Sequence, residues 1–346
     1  MQKIRLESGK IRVFSPHKFM KRIALLIPLI LLAVFCPFLM ADKSKEEEAV
    51  KNIVFIAGNR SHGSGEHEFR AGCMLLAKAL NEQSGLKVNA TVVGVDWPKD
   101  KSLLDQADAI VIYADATSGH AGQWEYLDGL AKKGVGMVFM HYAVHPNRDI
   151  GEKYYRPWIG GAMENDWSVN PHWVADLKVL KGHEISNGVP ETVPCFDEWY
   201  YNMRFIDDRD QVLNLLTAVP TRENVKRYIN MWDQNGVDGL DKEQTLMWGY
   251  ERPDGGRGVG FTGGHYQQTW AIDGVRTAVL NAIVWAAGMK VPEGGVVSKA
   301  LTEEDLNANL DLYNGKAAHI EMPDVEAWKK MKPAKIDEKR EAGFKQ

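Results

Sequence analysis

The sequence predicts an α/β protein: a doubly wound, mostly parallel sheet with helices on both faces. Three observations carry this. Four short strand-like runs occur between residues 52 and 140: Asn52–Ala57, Ala109–Tyr113 and Val135–Met140 are apolar, and Val88–Val95 is β-branched. Continuous rather than alternating apolar strands belong to sheets buried on both faces. Segments with apolar residues at helical spacing lie between these runs, and strand–helix alternation with right-handed crossovers gives a doubly wound sheet.

The elements follow in order. Residues 1–41 hold seven basic side chains and one acid, and Ile23–Ala41 carries no charge after Lys21-Arg22. Basic, apolar and small-residue regions in that order read as an export signal, cleaved near Ala41 or kept as an inner-membrane anchor. The expected location is periplasmic or extracellular, with membrane contact only through this segment. The domain itself is assigned to residues 50–290. Phe69, Cys73, Leu76 and Leu80 predict a helix closed by Gly85, and Leu103-Leu104 a short helix or turn. Trp124, Leu127 and Leu130 predict a further helix ending near Gly134. Trp173–Leu180, Trp199–Phe205, Val212–Val219, Leu246–Tyr250 and Val259–Thr262 read as strands, and Val275–Ala287 as an apolar helix. Residues 221–244 are polar with two glycines and read as an inserted surface loop. Residues 291–346 read as a linker, a short helix opened by Thr302 with Asp305, and a charged tail.

The chain has 346 residues, with 42 Lys+Arg and 46 Asp+Glu. Without residues 1–41 the remainder holds 35 basic and 45 acidic residues, which argues against a nucleic-acid partner. Three cysteines exclude a disulfide scaffold. Oligomeric state is not legible.

Ligands of an open parallel sheet bind beyond the carboxyl ends of its strands. The polar residues there are His62 after the first run, His141-Tyr142 after the fourth, Glu198 beside Asp197, and His265-Tyr266 after the last. His62, His141, Glu198 and His265 are the candidate catalytic residues, expected to converge. Imidazoles and a carboxylate can also hold a divalent metal such as zinc, or move protons without one. Trp167, Trp270, Tyr142 and Tyr266 are candidate carbohydrate-stacking residues. His67, between Glu66 and Glu68, reads as a solvated helix start. His172 and His183 read as structural. Cys73 sits on an apolar helical stripe, and no cation adjoins Cys195, so both read as inert packing.

Six pieces in order resemble the ThuA-like (trehalose-utilisation) family: the first strand with His62; Gly134 to His141; Trp158–Gly161; Gly182-His183 with Gly188; Asp197-Glu198-Trp199-Tyr200; and Gly256-Arg257-Gly258-Val259 leading to Gly264-His265. The resemblance covers about residues 52–288. It implies a class I glutamine amidotransferase-like fold and a role in sugar metabolism, often beside oxidoreductases that make keto-sugars. Two departures are Trp199, where the family carries a smaller aliphatic residue, and the 221–244 insertion. No Gly-x-Cys-x-Gly or Gly-x-Ser-x-Gly motif occurs, so amidotransferase acyl chemistry is not expected. Two function classes remain: an exported enzyme on a sugar or keto-sugar (hydrolysis, isomerisation or elimination), or a non-catalytic carbohydrate-binding protein.

Overall fold

The apolar runs become the centre of the sheet. The structure is a computed structural model that describes residues 49–83, 85–228, 234–316 and 318–335. The expected export segment, residues 1–41, lies outside the described residues. Strands β1 (Lys51–Ala57), β2 (Val88–Val95), β3 (Ala109–Tyr113) and β4 (Gly136–Met140) match the four runs, and every residue of β3 and β4 is buried. The remaining strands are β5 (Gly161–Ala162), β6 (His172–Val179), β7 (Thr192–Glu198), β8 (Arg204–Phe205), β9 (Val212–Ala218), β10 (Val225–Arg227), β11 (Gln244–Glu251) and β12 (Arg257–Phe261). The helices are α1 (Phe69–Asn81), α2 (Ser102–Asp105), α3 (Trp124–Ala131), α4 (Arg148–Ile150), α5 (Arg156–Ile159), α6 (Gln234–Asp238), α7 (Asp273–Ala286), α8 (Glu303–Asn307) and α9 (Val325–Lys330).

The main sheet runs β10-β6-β9-β11-β12-β4-β3-β1-β2, with β7 paired to β6. Strands β2, β1, β3, β4 and β12 are mutually parallel. From β11 outward the pairing is antiparallel. The sheet is therefore mixed, with its parallel half where the continuous apolar runs lie. β4 sits between β3 and β12, so its carboxyl end opens on the middle of the sheet.

Alternation along each strand sorts side chains to two faces. Ile53, Phe55, Tyr113, Val138 and Met140 meet Cys73, Leu76 and Leu80 of α1 and the apolar length of α7. Val54, Ile56, Ile112, Met137 and Phe139 meet Leu127 and Leu130 of α3 and Trp158 of α5. These are the two helical layers the pattern predicts. Cys73 and Cys195 are free and buried, and burial pushes both thiols up, as inert packing requires.

Two expectations are corrected. Trp199–Phe205 is not a strand. β7 ends at Glu198, and the chain leaves the sheet so that Tyr201 can bridge to Val169, with only Arg204–Phe205 extended against β5. The strand lies earlier, at Thr192–Glu198, where Pro194 hides a period-2 pattern of buried Val193, Cys195 and Asp197. Proline is tolerated there because β7 is an edge strand. Residues 221–244 are not simply a loop: they contain β10 and α6, and the Tyr201 hydroxyl donates to Gly236 O at 2.6 Å.

Residues beyond 291 fold back onto the domain. Thr302 and Asp305 form the expected capping box at α8. Leu306, Leu310 and Ile320 bury against Ala71 of α1, and Trp328 of α9 packs on Phe196 at 6.1 Å. Among the described residues, no helix is long and apolar enough to cross a membrane.

Candidate functional site

Four loops at the carboxyl ends of β1, β3, β4 and β12 meet β7 at one point. The β4 run ends on His141, which starts a tight helical turn, His141–Val144. The β12 run ends at Phe261, and the following Gly263-Gly264 turn delivers His265. Gly264 has φ +99°, a conformation that favours glycine, so the turn depends on it. Asp197 fixes that turn from β7. Its buried carboxylate accepts from Gly264 N at 2.7 Å, His265 N at 3.0 Å and the Thr269 hydroxyl at 2.6 Å. The next residue, Glu198, then points into the same space.

The fourth member is His67. It is 1% exposed, so the solvated helix start is corrected. The β1–α1 loop is stitched onto the β12–α7 loop by His67 N donating to His265 O and Gln267 N to Gly65 O, both at 2.9 Å. That stitching turns the His67 ring inward. Nothing in the local pattern signals it, because it depends on two loops about 200 residues apart in sequence.

The donor atoms form a small polyhedron. His67 Nε2 lies 3.0 Å from His141 Nε2 and 3.1 Å from His265 Nδ1. His265 Nδ1 is 3.3 Å from His141 Nε2 and 3.0 Å from Glu198 Oε2. Glu198 Oε2 is 3.4 Å from His141 Nε2. All four residues are buried, and their donor atoms lie within 4.8 Å of one another. His67 and His141 also hold left-handed backbone angles, φ +49° and +54°. Such strain for a non-glycine residue costs on the order of 1–3 kcal/mol and marks functional sites.

The outer partners set the tautomers. Asp115 Oδ1 lies 2.9 Å from His67 Nδ1, and Thr262 O lies 3.0 Å from His141 Nδ1. A carboxylate and a carbonyl only accept, so both rings carry their proton on Nδ1. Two Nε2 lone pairs therefore face each other at 3.0 Å with no proton between them, an arrangement suited to a cation. Glu198 is steadied from behind: Asn170 Nδ2 donates to its Oε1 at 2.9 Å, and His172 Nε2 lies 3.5 Å away. His172 in turn lies 2.8 Å from the Tyr266 hydroxyl.

The charges divide accordingly. Burial, helped by neighbouring imidazoles, pushes His67 down to about 2 and His141 well below its ordinary value, so both are neutral at pH 7. Burial opposes charge on His265 too. Hydrogen bonds to Glu198 and Glu66 overcome it and raise His265 to about 9. The same His265 bond lowers Glu66 to about 2. Burial lowers His172 to about 3.

Of the sequence candidates, His141, Glu198 and His265 come together and His62 does not join them. His62 is exposed on its glycine-flanked loop, and its ring covers His67 at 3.6 Å and lies 5.6 Å from His265. Tyr142 is half-buried, with its ring 6.1 Å from His67. Tyr266 is half-buried against His172. Trp167 is half-buried, with the Arg204 guanidinium 3.7 Å from its ring centre. Trp270 is corrected: it is fully buried between Tyr113 and Phe261, because its polar neighbours form a helical turn that rolls the indole into the core. Trp199 is likewise buried, its indole donating to Cys195 O. The sequence reading passes over Asp115 and takes His172 as structural, although His172 stands behind Glu198. Asp115 follows the third run, where the strand-end rule applied to β3 finds it. His172 begins β6 opposite Glu198, a pairing set by register alone.

A group of His62, His67 and Asp115 also lies close enough to hold an ion. Its shared residue, His67, uses Nδ1 for Asp115, which makes Asp115 the outer partner of a buried ligand.

Comparison with known proteins gives a concordant result. A search of curated proteins finds no match. A putative ThuA-like protein from Bacteroides uniformis has a similar structure, with TM-score 0.52 and 13% identity over 72% of this chain and 96% of that one. A putative ThuA-like protein from Parabacteroides merdae aligns with TM-score 0.49 and 14% identity, over 75% and 99%. At these identities the likeness concerns the fold. The family model described as ThuA, trehalose utilisation, matches residues 54–286, more than half of the chain and the whole of the site, and the chain belongs to the ThuA family.

Proposed function

We propose that this ThuA protein is an exported, metal-dependent enzyme acting on a sugar or keto-sugar by hydrolysis, isomerisation or elimination. One observation carries the metal: His67 Nε2, His141 Nε2, His265 Nδ1 and Glu198 Oε2 surround one buried point with five edges of 3.0–3.4 Å. In a regular tetrahedron edges of that length put the centre about 1.8–2.1 Å from each donor, close to the roughly 2.0–2.2 Å of zinc–nitrogen and zinc–oxygen bonds; the sixth edge, His67 Nε2 to Glu198 Oε2, is under 4.8 Å. The paired lone pairs of His67 and His141 favour a cation there, and His67, His141 and Glu198 each have an outer partner, as metal ligands do. When bound, a divalent ion would polarise a carbonyl or hydroxyl of the sugar.

The chain's own groups supply the rest. His265 Nδ1 lies 3.0 Å from Glu198 Oε2, and its raised pKa keeps a proton on the ring, so a cation held at Nδ1 would displace that proton. His62, Asp115 and Tyr142 stand on the solvent side, where they can hold or move a proton next to a bound sugar. Tyr266 and Trp167, both half-buried, are the aromatic candidates for ring stacking. The family description supports the sugar class, and residues 1–41 support export.

The test is metal analysis of the purified protein, followed by a screen of glycosides and their 3-keto forms with and without chelator. The expected result is about one divalent ion per chain and a chelator-sensitive activity. A protein that binds sugar, carries no metal and turns over nothing would support a carbohydrate-binding protein instead. Export is tested by fractionating cells with and without residues 20–41.

A further inference from the structure

We propose that Glu68 is a positioning residue that holds His67 toward the other three donors, and that the C-terminal segment from Thr302 to Lys316 is the clasp that holds Glu68. The proposal rests on the metal reading of the site and adds a part of the chain beyond residues 54–286, where the family model ends.

Glu68 follows His67 directly and is fully buried. A buried carboxylate needs partners for both oxygens, and these come from two places. Oε1 accepts from Gly65 N at 3.2 Å and Arg60 Nε at 3.3 Å, which closes the loop carrying Ser61, His62 and His67 into a ring. Oε2 accepts from Asp311 N at 3.0 Å, across 243 residues of sequence. The C-terminal segment is fastened around that bond. Arg70 Nε pairs with Asp311 at 2.8 Å. The Arg60 guanidinium stacks on Tyr313, 4.4 Å from its ring centre. Leu306 and Leu310 are buried against Ala71.

A clasp is needed because His67 sits at φ +49°. A residue held in a left-handed conformation relaxes unless the surrounding structure over-determines it. On its far side His67 is held by the bond to His265 O. On its near side the hold is Glu68, and α1 offers no substitute because no side chain caps its first turn. Releasing Glu68 leaves His67 held only by the His265 O bond and by the Ser61 and Asp115 contacts at its Nδ1, so its Nε2 can shift from the other donors. The C-terminal segment thus reaches the site without contributing a ligand.

The experiment uses the full chain and cobalt(II) as probe, since its visible absorption reports ligand number. Glu68→Ala is expected to weaken cobalt binding about 10-fold, the lower end of what losing a ligand's direct outer partner costs, because Glu68 acts through the His67 backbone. It should also alter the cobalt spectrum. Glu68→Gln, which turns one acceptor into a donor, should fall between. Leu127→Ala, in the opposite helical layer, should lower thermal stability without changing cobalt affinity or spectrum. Hydrogen exchange at residues 60–68 gives a metal-independent reading and should quicken in Glu68→Ala relative to Leu127→Ala. Wild-type cobalt affinity and spectrum in Glu68→Ala would overturn the proposal. If the wild-type chain takes up no cobalt, the metal reading fails and exchange alone decides, with unchanged exchange at residues 60–68 overturning the clasp. If Glu68→Ala does not fold, Arg70→Ala and Asp311→Ala, which cut the same clasp at its partly exposed edge, decide by the same readings.

Discussion

Replacing His67 with alanine tests the site at the residue whose local sequence reads as a solvent-exposed helix start. His67 contributes one of four donor atoms, with edges of 3.0 and 3.1 Å to its neighbours. Structural zinc sites bind with about 10–16 kcal/mol, so one ligand of four accounts for roughly 2.5–4 kcal/mol. His67→Ala should therefore raise the metal dissociation constant by about 10²–10³. His62→Ala is the contrast. Its ring covers His67 from the exposed side but supplies none of the four donors, so its metal affinity should stay within a few-fold of wild type. The assay is competition between the protein and a chromophoric chelator for zinc at fixed pH and salt. Thermal unfolding of the metal-free proteins accompanies it, to show that both variants fold. Wild-type affinity in His67→Ala, or an equal loss in His62→Ala, would refute the assignment of donors. Loss on His62→Ala alone would move the ion outward, to the His62 and Asp115 side of His67.

Asp197→Ala should destabilise the fold by about 3–5 kcal/mol, because it leaves buried donors at Gly264, His265 and Thr269 without their acceptor. Urea unfolding of the metal-free chain measures this, and a change below about 1 kcal/mol would contradict it. His120 gives a pH test away from the ligands: it is buried beside Trp124 and Phe139, and burial pushes it down to about 4. A depressed histidine contributes stability that is fully present above its unfolded pKa of about 6.5 and is lost as pH falls toward 4. Between pH 7 and 4.5 that loss is about 2 kcal/mol for this residue. His120→Gln should flatten the stability difference between those two pH values by that amount. An unchanged difference would show that His120 keeps its ordinary pKa.

By itself the sequence determined the layers and the strand ends. Continuous apolar runs at β1, β3 and β4 can only be buried on both faces, so they predict a parallel sheet between helices. His141 and His265 were legible because each terminates such a run or its turn, and Glu198 because it stands beside Asp197 in the family motif. Tertiary structure alone decided which imidazoles share a centre. His67 and His62 are five residues apart on one loop, and local pattern favoured His62. The bonds from His67 N to His265 O and from Gln267 N to Gly65 O turn one ring inward and leave the other outside. Trp270 went the other way, because a helical turn rolls a side chain into the core whatever the polarity of its neighbours. The position of His172 opposite Glu198 follows from antiparallel register, and the hold of Asp311 on Glu68 from a bond across 243 residues. Periodicity reports what a residue's own segment buries. Which loops meet is set by packing between segments far apart in the chain, and no local pattern records it.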